Sequence, residues 1–136
     1  MRITVDTNVL ISVLIFNSKT LNMLMYHVLV DHTLVLSTYI LEELEIVVQR
    51  KFPEKTTVIK EFLNELPFEL SYTPKNMDKN LFEIRDMKDY PVLYSAINDN
   101  VDIFITGDKD FFDLVGIEKP EIITPKDFLK KYCKKR

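Results

Sequence analysis

The sequence contains few of the residues that mark secreted, fibrous or disordered chains. It has one cysteine, Cys133, so no disulfide can form within the chain, and it has no cysteine and histidine spacing suited to zinc. Only two glycines and six prolines occur among 136 residues, which excludes collagen-like and low-complexity proteins. The longest apolar run, 9–16, is far shorter than the roughly 20 residues of a membrane span. We therefore predict a soluble, cytoplasmic protein with no membrane partner.

Positive charge is also scarce over most of the chain. Eighteen lysine and arginine residues oppose 21 aspartate and glutamate residues, and the net charge of −3 gives no global field that attracts polyanions. The exception is the tail 126–136, where six basic residues and one acid give a net charge of +5. We predict that any polyanion is held locally, and that this tail either contacts phosphates or forms a solvated helix end.

The chain does contain an alternation of short apolar strands and amphipathic helices. Five strand-like runs are separated by segments with apolar residues at helical spacing, and these runs are 2–5, 33–36, 68–72, 101–105 and 121–123. No Asn-Gly or Asp-Gly hairpin signal is present. This order predicts an α/β fold, a three-layer α/β/α sandwich with a central, mostly parallel sheet, as one domain spanning residues 1–136.

Acidic side chains lie at the carboxyl ends of two of these runs. Asp6 comes after the first run and Asp108 after the fourth, and the carboxyl ends of parallel strands share the edge of a sheet where ligands bind. Two carboxylates at close range are strained unless a cation lies between them, and carboxylate oxygens select hard divalent ions. We therefore predict that both acids hold a metal. Taken singly, Asp6 is as typical of a helix N-cap as of a functional site, and Asp108 is as typical of a turn.

Two further acids are expected near this edge, and for each the sequence leaves two candidates. The third is Asp86 or Asp89, because both precede the helix that leads into the fourth run. The fourth belongs to the helix after the second run, where Glu43 and Glu45 flank the apolar stripe. Helical periodicity excludes Glu42, which points away from the stripe, and does not choose between the other two.

Four motifs in this order resemble the PIN domain, and the likeness covers essentially the whole chain. They are Val5-Asp6-Thr7-Asn8-Val9-Leu10-Ile11-Ser12, Leu41-Glu42-Glu43-Leu44, Arg85-Asp86-x-Lys88-Asp89-x-Pro91-x-Leu93-x-x-Ala96 and Asp102-x-x-Ile105-Thr106-Gly107-Asp108-Lys109-Asp110-Phe111. The nearest likeness is to small stand-alone PIN proteins that are assigned as toxins of toxin–antitoxin pairs and are related to VapC. Any one motif is weak, whereas four in this order are specific.

The resemblance implies an endoribonuclease that uses Mg²⁺ or Mn²⁺ held by four acids. Matched position by position, the catalytic and metal-binding acids are Asp6, Glu43, Asp89 and Asp108, with Asp86 as the rival or partner of Asp89 and Asp110 as a ligand of a second metal. Supporting hydroxyl and amide groups come from Thr7, Asn8 and Thr106. The cations expected to contact RNA are Arg85, Lys88 and Lys109. An antitoxin partner and a homodimer are also implied.

Two alternative functions are weighed against this one. A magnesium-dependent phosphatase or phosphotransferase is disfavoured because no Asp-x-Asp follows the first run and no glycine-rich phosphate loop is present. A non-catalytic PIN module that binds RNA or protein is disfavoured by the intact set of acids. Three aromatic residues are equally suited to stacking on bases and to packing in the core, namely Tyr39, Tyr90 and Phe111.

Overall fold

The computed structural model describes residues 1–133, so the last three basic residues of the tail lie outside the described residues. The strands are β1 (Arg2–Val5), β2 (Thr33–Ser37), β3 (Glu69–Ser71), β4 (Ile103–Ile105) and β5 (Glu121–Ile123). The α-helices are α1 (Thr7–Phe16), α2 (Lys19–Asp31), α3 (Thr38–Lys51), α4 (Thr56–Glu65), α5 (Tyr90–Asn98), α6 (Lys109–Phe112) and α7 (Pro125–Tyr132). Single 3₁₀ turns at Pro53–Lys55 and Met87–Asp89 precede α4 and α5.

The five strands form one sheet in the order β3-β2-β1-β4-β5. Every neighbouring pair is parallel, so the sheet of the described residues is wholly parallel. The sheet is covered by helices on both faces, and its central strands are therefore nearly continuous apolar runs such as the fully buried Ile103–Ile105. The predicted three-layer α/β/α sandwich is confirmed.

The order of the strands creates a switch point between β1 and β4. From β1 the chain moves outward through β2 to β3, and it then returns to place β4 on the other side of β1. The last residues of these two strands, Val5 and Ile105, are in register, and the Asp6 amide donates to the Ile105 carbonyl at 2.9 Å. Ligands of open parallel sheets bind at the carboxyl ends of the strands on either side of such a switch point.

The helix starts follow from side-chain caps. Ser37 accepts a hydrogen bond from the Ile40 amide at the start of α3, and Thr124 accepts one from the Asp127 amide at the start of α7. The apolar segments 9–16 and 21–29 belong to separate helices, because Asn17 has a φ of 45° and Ser18 caps α2. No single helix of residues 1–133 has the length and apolarity of a membrane span; α1 and α2 meet the criterion only together, with a bend of 119° between them.

The core contains two of the three aromatic residues considered for base stacking. Phe111 is 1% exposed and packs edge-on against Phe104, with ring centroids 4.9 Å apart. Tyr90 is 4% exposed and stacks on Phe82 at 4.3 Å. Both rings therefore pack in the core and are not available to stack on bases. Tyr39 alone of the three is only partly buried.

Candidate metal centre

Asp6 lies at the carboxyl end of β1 and is 5% exposed. Its Oδ1 accepts from the Thr7 amide and its Oδ2 from the Thr106 hydroxyl, each at 2.8 Å. Burial raises the pKa of Asp6 to about 6; the two hydrogen bonds oppose this rise, and the charges of Glu43 and Asp108 add to it. Asp6 is thus the N-cap of α1, and at the same time it is a buried carboxylate close to other acids.

Asp108 reaches the same place from the neighbouring strand β4. Its Oδ1 accepts from the Asp110 amide at 2.9 Å and caps the short helix α6. Its own amide donates to the Thr106 hydroxyl oxygen at 3.1 Å. Because Thr106 is fully buried and also donates to Asp6, one hydroxyl fixes the loop after β4 against the acid after β1.

Three carboxylates meet at this edge of the sheet. Asp89, Asp108 and Asp110 each present an oxygen atom within 4.8 Å of the other two. Burial raises the pKa of Asp89 to about 7, and the neighbouring charges that add to the rise are those of Asp108, Asp86, Asp6 and Glu43. The raised pKa of Asp89 therefore reflects its burial first and the neighbouring negative charges second.

Asp86 differs from Asp89 in its surroundings. It is exposed, and its Oδ1 accepts from the Lys88 amide at 3.0 Å, so it caps the 3₁₀ turn at Met87–Asp89. Its charge contributes to the raised pKa of Asp89, which places it near the three carboxylates without being one of them.

Glu43 and Glu45, between which helical periodicity does not choose, have different partners. The Thr7 hydroxyl donates to Glu43 Oε1 at 2.6 Å, and Thr7 follows Asp6 directly. Glu45 is exposed and lines an apolar cavity of about 280 Å³ between α3 and α4. The tertiary structure therefore brings Glu43 to the acids and directs Glu45 away from them.

The remaining residues of interest lie at the rim. Asn8 is exposed in the first turn of α1, and Lys88 and Lys109 are exposed beside Asp89 and Asp108. The Arg85 Nε lies 3.4 Å from Asp110 Oδ1, with the Arg85 side chain 86% exposed. Within residues 1–133, this is the one ion pair made by the acids of the site, which are Asp6, Glu43, Asp86, Asp89, Asp108 and Asp110.

The donor set fits a hard divalent cation. All the converging groups are carboxylates, oxygen ligands of the kind that magnesium and manganese accept, and one exposed guanidinium does not balance their charge. The two histidines lie elsewhere: His27 is 3.6 Å from Asp31 on α2, and His32 contacts the terminal amine at the opposite edge of the sheet.

Arg50 is a residue near the site that the sequence analysis missed. A cavity of about 310 Å³ borders Glu43, and its other lining residues are Tyr39, Glu42, Ile46, Val47, Arg50 and Lys88. Arg50 lies seven residues, or about two helical turns, after Glu43 on α3. This spacing is the feature of the sequence that predicts both side chains on one face of the helix. The Tyr39 hydroxyl donates to the Lys88 carbonyl at 3.0 Å.

The profile of the PIN-domain family matches residues 2–110 of this chain. Among solved structures, the chain is similar to one chain in the crystal structure of VapBC2 from Rickettsia felis bound to a DNA fragment from their promoter. That match has a TM-score of 0.68 and 15% sequence identity, and it covers 90% of this chain and 97% of that chain, so it is a likeness of fold. No curated protein matches the chain significantly.

Proposed function

The chain belongs to the PIN-domain family, and from this we propose that it is an endoribonuclease that hydrolyses RNA phosphodiester bonds with Mg²⁺ or Mn²⁺. The observation that carries the proposal is the convergence of Asp89, Asp108 and Asp110 within 4.8 Å, close to the buried Asp6. Such a group of unbalanced acids is costly for the fold, and a divalent ion together with an anionic phosphate would relieve it.

A bound divalent ion would supply charge neutralisation at the phosphate, a more acidic attacking water and stabilisation of the leaving oxygen. We assign its ligands to Asp6, Asp89 and Asp108, with Asp110 as a further ligand and Asp86 as a source of negative charge nearby. Thr106 holds the Asp6 carboxylate in orientation through its hydrogen bond of 2.8 Å. Thr7 holds Glu43 by Oε1, which leaves Oε2 to orient the attacking water.

The RNA backbone would approach this edge through the exposed cations at its rim. Arg85, Lys88 and Lys109 stand beside the acids, and each would neutralise a phosphate while the sheet holds the metal ligands rigid. Local contacts of this kind suit a chain whose net charge is −3. The supporting role proposed for Asn8 is to hydrogen-bond water or phosphate at the exposed start of α1.

We further propose that the protein is the cytoplasmic toxin of a toxin–antitoxin pair and forms a homodimer. Its fold matches a chain of the VapBC2 structure from Rickettsia felis over nearly the whole of both chains. Expression of the wild-type chain in a bacterial host should then arrest growth, and Asp6→Asn should remove the arrest. A neighbouring reading frame that encodes a small DNA-binding protein, and that restores growth on co-expression, would support the pairing; continued growth with active enzyme present would contradict it.

The nuclease proposal is tested by RNA cleavage with a matched pair of variants on one helix. We expect cleavage with Mg²⁺ or Mn²⁺, no cleavage with chelator or in Asp6→Asn, and a large loss in Glu43→Gln. Glu45→Gln, which alters an exposed acid two residues along the same helix, should retain wild-type activity. Robust cleavage in chelator would reject the metal mechanism, and turnover of p-nitrophenyl phosphate without RNA cleavage would favour a phosphatase. Calorimetry that detects no divalent-ion binding would favour a non-catalytic binding module.

A further inference from the structure

One face of α3 carries Glu43 of the acidic site together with three residues that the site leaves unused. Tyr39, Glu43, Ile46 and Arg50 follow one another at steps of four, three and four residues, which places them along one side of the helix. The opposite side of α3 is buried in the core. The side that carries these four residues is therefore a continuous strip with an aromatic ring at one end and a guanidinium at the other, partly buried at Tyr39 and Glu43 and exposed at Ile46 and Arg50.

This strip forms one wall of the cavity of about 310 Å³, which we name the Tyr39 pocket. Its lining residues are Tyr39, Glu42, Glu43, Ile46, Val47, Arg50 and Lys88. The hydrogen bond from the Tyr39 hydroxyl to the Lys88 carbonyl, at 3.0 Å, joins α3 to the turn that carries Asp89. The volume falls within the range of small-ligand sites, roughly 300 to 1,000 Å³.

The pocket and the acidic site share one residue. Glu43 lines the pocket and also accepts from the Thr7 hydroxyl beside Asp6. Lys88 lines the pocket and directly precedes Asp89 in the chain. A polymer whose backbone lies on the acids can therefore place its next unit in the Tyr39 pocket without leaving the surface.

We propose that the Tyr39 pocket is a nucleotide subsite for the single-stranded RNA substrate, next to the site of cleavage. One base lies against Tyr39 and Ile46, and its phosphate pairs with Arg50 and Lys88. An aromatic ring with an apolar neighbour and two cations is the combination by which proteins hold single-stranded nucleic acid. The negative charge of Glu42 repels the phosphate from its part of the pocket. Its carboxylate instead accepts hydrogen bonds from amino groups on a base edge. The inference rests on the proposed nuclease function.

Binding of ribonucleoside monophosphates tests the subsite without requiring cleavage. The wild-type protein, labelled with ¹⁵N, is titrated by NMR with each mononucleotide in the presence of Mg²⁺. We expect amide shifts along 39–50 and at Lys88, and about tenfold weaker binding in Tyr39→Leu and in Arg50→Gln. Tyr39→Phe keeps the ring and should bind within about threefold of wild type. Lys51→Gln, which removes an exposed charge at the end of α3 outside the pocket, should leave the dissociation constant unchanged.

Cleavage kinetics then separate the two proposals. In RNA cleavage, Tyr39→Leu should raise KM about tenfold while kcat changes little, because the ring holds substrate and does not touch the reacting phosphate. Mononucleotide shifts in the pocket without RNA cleavage would uphold the pocket as a nucleotide-binding site and would contradict the nuclease. Cleavage with an unchanged KM in Tyr39→Leu, and shifts confined to the surroundings of Asp6 and Asp108, would overturn the subsite alone. Absence of any shift would also overturn it.

Discussion

The two edges of the same sheet hold acids in opposite electrostatic settings. At the amino ends of the strands four acids each have a cation beside them, and these pairs are Arg2 with Asp99 at 2.9 Å and with Glu69, Lys119 with Asp102 at 3.4 Å, and Lys131 with Glu121 at 2.6 Å. The hydrogen bond from the Arg2 amide holds the pKa of Asp102 below its usual value. Hydrogen bonds from Lys131 and Tyr132 do the same for the pKa of Glu121.

At the carboxyl ends, acids face other acids. Burial and neighbouring carboxylates raise the pKa of Asp6 to about 6 and that of Asp89 to about 7. Asp102 and Glu121 at the amino edge thus stabilise the fold in their charged form, whereas Asp6 and Asp89 at the carboxyl edge destabilise it when they are charged without a cation. A count of acids would not distinguish the two edges; the shortage of balancing positive charge does.

The largest expected difference between the two edges is in catalytic activity. The aspartates on either side of strand β4 provide the test. Asp108→Asn keeps the cap on α6 and should lower kcat for RNA cleavage by about 10² or more. Asp102→Asn at the amino end should leave kcat unchanged and lower the unfolding midpoint slightly, because it loses the pair with Lys119. Equal loss of kcat in the two variants, measured well below their unfolding temperatures, would contradict the assignment of catalysis to the carboxyl edge.

Metal addition should stabilise the protein through the carboxyl edge alone. At a free Mn²⁺ concentration of 100 times Kd, the gain in unfolding free energy is about 2.7 kcal/mol, read as a rise in Tm. Asp89→Asn should reduce this rise, and Glu69→Gln, which alters an acid of the amino edge, should leave it unchanged. An undiminished rise in Asp89→Asn would show that the ion binds elsewhere.

The pH dependence of stability should have opposite signs at the two edges when chelator is present. The pKa of Asp6 is about 6 in the folded state against 3.8 for the unfolded chain, so the folded state binds more protons between these values and stability falls as pH rises through them. The Asp6→Asn variant does not lose stability in this way. Its free energy of unfolding, relative to that of the wild type, should therefore increase by on the order of 2 kcal/mol between pH 4 and pH 7.

At the amino edge the pKa values of Asp102 and Glu121 are lowered, so their contribution is present above the unfolded values of 3.8 and 4.5 and is lost as pH falls. Urea unfolding across this range measures both slopes. A constant difference between Asp6→Asn and wild type at all pH values would contradict the assignment of the raised pKa.

The smallest effect concerns the cations of the two edges. Arg2→Met removes ion pairs with Glu69 and Asp99 and a hydrogen bond of 2.7 Å to the Asp99 carbonyl, which should cost about 1 kcal/mol of unfolding free energy. Arg85→Met removes the pair of an 86% exposed arginine with Asp110 and should change stability by less than about 0.5 kcal/mol. Urea unfolding at neutral pH measures both effects. Equal losses of unfolding free energy in the two variants would contradict the larger contribution expected of Arg2.

Several features of the site could be predicted locally. Asp6 and Asp108 follow short apolar runs, and a strand that ends in an acid needs no tertiary information to be recognised. A local role as a cap or turn residue and a role in the site do not exclude each other at these two positions. One oxygen of a carboxylate satisfies the cap, and the same side chain still lies among other acids.

Other features of the site depend on which helices and strands pack against each other in the folded chain. Glu43 and Glu45 flank the same stripe, and only the approach of α1 to α3 shows that Thr7 reaches the first and not the second. Likewise Tyr39 and Tyr90 are indistinguishable as sequence letters, yet the second is covered by Phe82 in the core. The assignment of individual acids as catalytic stays a prediction that the variants above address.

The sequence by itself determined the α/β architecture, the helix caps and the acids at the ends of β1 and β4, because these depend on hydrophobic period and on hydrogen bonds between near neighbours. Only the tertiary structure decided that β4 lies beside β1, that Asp89 and Asp110 join Asp108, and that balancing cations are at the opposite edge. Charge interactions fall off with distance and are strengthened by burial, and both quantities are set by the packing of segments that are far apart in the chain.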